Sequence, residues 1–253
     1  MKKHINQLLD LIFPSGLYCI CCGKIIDSSM PYHLCTTCMS QVKWSLGRTC
    51  SRCGKPLSDT DPAGTCYSCR EHEHFYDRGY SCAEYGSCER ALIFSLKYNG
   101  RTDIAASLGE AIWDMLLARG VLSEGVTNTE RYDLIIPVPM SRSKLRSRGY
   151  NQAELIAREL SRRSGIPCNT DILVRARSTR ALRGLSPEER RNEMTGAFAR
   201  GRTPDIIRGR NFLLLDDIYT TGATIDACTL VLKANGAGRV DFVSFASGAD
   251  VVK

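Results

Sequence analysis

The sequence predicts an α/β fold, a parallel sheet flanked by helices, with a small cysteine-rich module in front of it. Three observations carry this. Phe212-Leu213-Leu214-Leu215 is an unbroken apolar run, as in a strand buried on both faces, and a short polar turn joins it to helical apolar spacing at Ile225, Cys228, Val231 and Leu232. Tyr132 to Ile136 is a second such run, followed by a helix signal at Leu155, Ile156 and Leu160. Eight of the thirteen cysteines fall in four Cys-x-x-Cys pairs, all before residue 70. At 253 residues the chain suits two domains of roughly 100 to 200 residues or fewer, divided here as 1–74 and 75–253.

The elements follow in order. Ile5, Leu8, Leu9 and Ile12 share one face of a helix over 2–13, which Pro14 and Gly16 end. Asp10 breaks the apolar stretch after Lys2 and Lys3, so no signal peptide is read, and no run of about 18 apolar residues offers a membrane span.

The cysteine module is a duplication. Cys19-Ile20-Cys21-Cys22-Gly23-Lys24 recurs as Cys50-Ser51-Arg52-Cys53-Gly54-Lys55, and Cys35/Cys38 recur as Cys66/Cys69, always 31 positions on. A Cys-x-x-Cys turn aims two sulfurs at one ion, and a glycine after the second cysteine allows the positive φ of such a knuckle. Cys19, Cys22, Cys35, Cys38 and Cys50, Cys53, Cys66, Cys69 therefore form two four-thiolate zinc sites if the knuckles pair sequentially. A cross-braced pairing would use the same residues. With every thiolate supplied by protein no position is open to substrate, so the zinc, one ion or two, is read as structural. A unit of about 30 residues buries little core, and metal binding provides much of its folding energy. Cys21, Cys82, Cys88, Cys168 and Cys228 are read as small apolar residues, and His72 and His74 as surface histidines.

Beyond Phe75 the expected elements are an edge strand at Tyr80 to Tyr85, helices at Glu89 to Lys97 and Ile104 to Leu117, and a turn Leu96-Lys97-Tyr98-Asn99-Gly100-Arg101 between them. The Tyr132 to Ile136 strand exits through Pro137-Val138-Pro139 into a cationic loop with Arg142, Lys144, Arg146 and Arg148. Residues 171–203 hold few apolar runs and many arginines, and are expected to be mobile until they meet a polyanion. From Arg142 to Arg210 there are 17 Lys or Arg against 7 Asp or Glu, so a basic field is concentrated here, suited to a polyphosphate or a nucleic acid. Asn235-Gly236 stops the last helix, and Val240 to Phe245 is the final strand.

The chemistry gathers at Asp216-Asp217-Ile218-Tyr219-Thr220-Thr221-Gly222-Ala223-Thr224. Free N–H groups at a helix N-terminus, three hydroxyls and a glycine make a phosphate cradle. Two carboxylates at the strand's C-terminal end can accept from vicinal hydroxyls or hold a hydrated Mg²⁺. No lysine occupies the turn, so it is not a Walker loop.

Four hydrophobics, Asp-Asp, three residues and Thr-Gly-Ala-Thr resemble the 5-phosphoribosyl-1-pyrophosphate (PRPP) loop of type I phosphoribosyltransferases. The resemblance implies that Asp216 and Asp217 bind ribose hydroxyls and that Thr220, Thr221, Gly222, Ala223 and Thr224 hold the 5′-phosphate. Leu96-Lys97-Tyr98-Asn99-Gly100, Pro137-Val138-Pro139 and Arg146-Ser147-Arg148-Gly149-Tyr150-Asn151-Gln152 are similar to signatures of the ComF family of competence proteins, double zinc ribbon proteins with a phosphoribosyltransferase fold. By that resemblance Pro137 to Met140 form a pyrophosphate loop, with Arg146 and Arg148 beside it. Leu182 stands where the family usually has glutamine.

The resemblance implies a cytoplasmic, PRPP-binding, Mg²⁺-using protein connected with DNA uptake in natural transformation. If it is an enzyme, it is a phosphoribosyltransferase with an unidentified acceptor. The alternatives are a single-stranded DNA binding module and a scaffold that docks a competence helicase or another competence protein.

Overall fold

The computed structural model describes residues 16–58, 64–126, 128–180, 184–202 and 206–249. The helix expected over 2–13 and Leu182 lie outside them. A four-stranded sheet forms the centre: β1 (Arg78–Glu84), β2 (Leu134–Pro137), β5 (Phe212–Tyr219) and β6 (Val240–Ser247), in the order β1-β6-β5-β2 with every pairing parallel. β3 (Leu173–Arg175) and β4 (Phe198–Arg200) form a separate antiparallel pair.

Among the described residues there are eight α-helices, α1 (Thr36–Gln41), α2 (Tyr67–Glu71), α3 (Ser87–Tyr98), α4 (Ile104–Ala118), α5 (Arg142–Arg148), α6 (Gln152–Ser164), α7 (Pro187–Met194) and α8 (Ala223–Ala234), and two short 3-10 helices, Pro31–His33 and Asn128–Glu130.

The sheet is buried on both faces, which is why its strands read as continuous apolar runs. Side chains alternate along β5: Leu213 and Leu215 enter one core with α3, α4 and α6, while Phe212 and Leu214 enter the other with α8 and the β3-β4 pair. Each cysteine repeat joins a different core. Cys19 and Cys38 pack with the first, and Cys50, Cys53 and Cys66 with the second.

β1 lies at the edge of the sheet, as expected, and Glu84 N–H donates to Lys43 O and Ser45 N–H to Cys82 O, so the segment after the first repeat covers that edge. Three other elements differ from expectation, each for a local reason. The Leu96-Lys97-Tyr98 turn is the last turn of α3. The cationic loop after β2 is α5, capped by the Ser141 hydroxyl and stopped by Gly149 at φ 86°. Residues 171–203, expected to be mobile, contain β3, β4 and α7, whose Ser186/Glu189 capping box starts the helix.

Candidate functional site

β5 carries Asp216 and Asp217 in its C-terminal half, beside the end of β2, whose Pro137 pairs with Leu215. Asp217 is buried and well held: its Oδ2 forms an ion pair with Lys97 Nζ, and its Oδ1 accepts from Gln152 Nε2 at 3.2 Å. Its own N–H donates to Asp216 Oδ1 at 2.9 Å. Burial alone would raise the Asp217 carboxyl, but the Lys97 ammonium outweighs it and holds the group below the usual carboxylate range. Burial also works against the charge on Lys97, and Asp217 more than compensates. Asp216 behaves oppositely. Burial, followed by the negative charge on Asp217, pushes it well above the ordinary value. One carboxylate is neutralised by a lysine, and its neighbour has no cation of its own and is harder to ionise, which a bound cation would reverse.

The Thr220–Thr224 turn follows. Gly222 sits at φ 83° directly before α8, and the first intrahelical bond runs from Asp226 N–H to Gly222 O at 2.8 Å. The N–H groups of Ala223, Thr224 and Ile225 are thus left without helical acceptors, as a helix start requires. Thr220 is exposed and Thr221 and Thr224 are half-buried. Arg190 of α7 donates to Thr220 Oγ1 at 3.0 Å, adding a cation to the loop.

Pro137, Pro139 and Arg146 border a cavity of about 800 Å³ whose walls also carry Arg142, Arg175, Arg177, Arg200 and Arg202. Val138 is tied down by its N–H to Leu215 O at 2.9 Å and by Asn151 Nδ2 donating to its carbonyl at 3.0 Å. Like charges crowd here: burial and then Arg175 lower the Lys144 ammonium. Arg148 turns the other way. It donates to Gln152 Oε1 and lies 5.2 Å from the Tyr98 ring centre.

The structure therefore brings Asp216, Asp217, the threonine loop and the proline loop to one end of the sheet, and separates Arg146 from Arg148. Sequence reasoning passed over Lys97, Gln152, Arg190 and His74. Lys97 and Gln152 stood in quoted motifs, which was the available signal. Arg190 stood in the family-like run Arg190-Arg191-Asn192, and His74 carried no signal beyond its closeness to the last knuckle. His74, read as a surface histidine, is buried: its Nδ1 lies 2.7 Å from Asp226 Oδ2, and its ring packs against Gly222.

The eight knuckle cysteines form two clusters, Cys19, Cys22, Cys35, Cys38 and Cys50, Cys53, Cys66, Cys69, with sulfurs within 4.8 Å of one another in each. The pairing is sequential, one cluster per repeat, and not cross-braced. Gly23 and Gly54 adopt φ of 73° and 74°, and backbone N–H groups point at Cys19, Cys35 and Cys50 Sγ at 3.4 to 3.5 Å. Four thiolates at this spacing fit a tetrahedral structural zinc at both sites.

Residues 8–70 match the family model of the double zinc ribbon domain. The chain is 28% identical over 209 residues to DNA utilization protein YhgH of Salmonella typhimurium, covering 83% of this chain and 88% of that protein. It is 29% identical over 207 residues to competence protein F of Haemophilus influenzae (82% and 87%), and 23% identical over 206 residues to competence protein ComFC of Bacillus subtilis (80% and 79%). Among solved structures, the glutamine PRPP amidotransferase of Bacillus subtilis matches 59% of this chain and 30% of its own, at 16% identity and a TM-score of 0.38. None of the described helices is long and apolar enough to cross a membrane.

Proposed function

The chain is a double zinc ribbon relative of competence protein F, and from that premise we propose that it is a PRPP-binding, phosphoribosyltransferase-like protein acting in the cytoplasm in DNA uptake during natural transformation. The observation that carries the reading is the asymmetric carboxylate pair beside the threonine loop, with Asp217 buried and paired with Lys97 and Asp216 partly exposed next to it. In this reading Thr220 to Thr224 hold the 5′-phosphate. Asp216 accepts from the ribose hydroxyls, and Asp217 keeps Lys97 and Gln152 in place beside it. Pro137 to Pro139, with Arg146 on the cavity side and Arg148 on the Gln152 side, flank the pyrophosphate. Mg²⁺, when bound with PRPP, supplies charge neutralisation of the pyrophosphate, and the carboxylates are the side chains suited to hold its water shell. Transfer, if it occurs, rests on positioning and charge stabilisation. The proposed organisation keeps 1–74 as the ribbon and 75–253 as the ligand-binding unit, with zinc structural in the first.

The arginine-walled cavity favours a second reading, in which a single-stranded nucleic acid backbone lies along Arg142, Arg146 and Arg175, or the protein is a scaffold for a competence helicase without transferase activity. Such binding weakens steeply with salt and shows little sequence preference.

Calorimetric titration of the zinc-loaded chain with PRPP, with and without Mg²⁺, tests the first reading. Saturable Mg²⁺-dependent binding that is lost in the D216N/D217N variant supports it. Absence of binding, or retention in that variant, overturns it in favour of the second.

A further inference from the structure

The two zinc sites are duplicates in sequence but not in surroundings. The first packs beside α3 and α4, where Tyr32 Oη donates to Asp114 Oδ2 at 2.8 Å and His33 Nδ1 meets Ser107 Oγ at 3.2 Å. The second stands against the strand that carries the threonine loop. Arg52, inside its first knuckle, donates to His74 O at 2.7 Å and to Asp77 O at 3.2 Å. Lys55, directly after that knuckle, places its ammonium 5.5 Å from the centre of the Tyr219 ring. A Cβ on Gly54 would meet the backbone of Gly79 and Tyr80 at 2.6 to 2.7 Å, so this knuckle touches β1 itself.

The segment leaving the second site then holds both ends of the loop. At its start, Tyr219 shares a 2.7 Å hydrogen bond with Tyr76 and stacks on Phe242. At its end, both carboxylate oxygens of Asp226, in the first turn of α8, are engaged: Oδ2 by His74 Nδ1 at 2.7 Å and Oδ1 by Phe75 N–H at 2.9 Å. The His74 ring fills the space beside Gly222, where a Cβ would lie 2.7 Å from its Cε1. An unengaged Asp226 would place negative charge at the helix start that offers its N–H groups to a phosphate, and the donors of residues 74 and 75 offset that charge.

We propose that the second zinc site, acting through His74, is a positioning device for the threonine loop, so that anion binding there depends on zinc at Cys50, Cys53, Cys66 and Cys69 and not on zinc at the first site. The consequence for ligand affinity rests on the sugar-phosphate reading above; the coupling of zinc to loop order does not. The duplication gave two similar ribbons, and one of them is built into the ligand site.

Hydrogen–deuterium exchange of residues 219–226, zinc content and PRPP titration are compared in the full-length zinc-loaded protein and in C66S, C22S, H74A and H74N. The expected result is faster loop exchange and about tenfold weaker PRPP binding in C66S and H74A. H74A keeps the zinc content of the parent. C22S loses zinc from the first site yet leaves loop exchange unchanged, and H74N, which restores a donor near the Nδ1 position, recovers part of the protection. Should C66S fail to fold, H74A decides. Loop exchange in H74A equal to that of the parent, or C22S loosening the loop as much as C66S, overturns the proposal. If the parent chain does not bind PRPP, the sugar-phosphate reading falls, and the exchange data still decide whether zinc orders the loop.

Discussion

Lys97, in the last turn of α3, makes its ion pair with Asp217 on β5, so a residue from the first helix after β1 neutralises the buried half of the central carboxylate pair. The neighbouring Leu96 is fixed in the first core while the Lys97 ammonium reaches the carboxylate. Removing one partner of such a pair leaves the other as an uncompensated buried charge.

Lys97→Ala is therefore expected to destabilise the fold by about 3 kcal/mol or more. The double variant K97A/D217N should recover part of that loss, because no buried charge remains. Denaturant unfolding of the four members of this cycle measures the coupling. Additive losses would mean that the pair is not coupled in solution.

Asp216→Asn should raise thermal stability at neutral pH while abolishing PRPP binding. Asp216 has a folded pKa raised above its unfolded value, so its contribution is fully present below the ordinary carboxylate pKa of about 3.9 and is lost as pH rises through the folded pKa. As soon as pH exceeds the unfolded value, folding must either take up a proton at Asp216 or bury its charge, so the group works against the fold and asparagine removes the opposition. Melting temperatures at acid and neutral pH check the sign: the gain belongs to neutral pH. In the same window, PRPP binding with Mg²⁺ should release a proton, seen as a dependence of calorimetric heat on buffer ionisation.

Gly222→Ala introduces a side chain at φ 83° that would meet His74 Cε1 at 2.7 Å and Tyr219 Oη at 2.9 Å. Backbone strain alone costs about 1 to 3 kcal/mol, and the contact with His74 adds to it. The expected outcome is a lowered unfolding midpoint together with lost phosphate affinity, read by chemical denaturation and by PRPP titration. An unchanged midpoint would show that the loop can move aside.

Sequential pairing of the knuckles predicts two zinc ions per chain by native mass spectrometry, and one in C22S. The thiols freed in C22S should then be those of Cys19, Cys35 and Cys38, identified by alkylation and peptide mapping. Protection of Cys35 and Cys38 with exposure of Cys50 and Cys53 would instead mark a cross-braced arrangement, in which the first knuckle shares its ion with the third.

The zinc ribbon, the β5-α8 strand-loop-helix and the proline loop were legible in the chain itself, because each depends on neighbours within one short segment. Two cysteines on one turn, an apolar run, a glycine that opens a helix and a proline that lacks an N–H all act locally. The 31-residue repeat likewise spelled out eight ligands, although it left their pairing open. Helix α5 was missed because its cations masked a serine cap and a glycine stop. The arginine-rich stretch at 171–203 was misread because its order comes from hydrogen bonds that do not show in composition, such as Arg177 Nη2 to Glu193 O at 2.6 Å.

Local sequence thus determined which residues could hold zinc and which loop could hold a phosphate. Only the tertiary structure decided which carboxylate is paired with a lysine, which arginine faces the cavity, and which zinc site touches the loop. The reason is physical. A pKa and a close contact depend on what lies a few ångströms away; beside Asp217 the deciding neighbours, Lys97 and Gln152, are carried in by the crossovers between parallel strands, and beside Gly222 His74 is carried in by the segment that precedes β1.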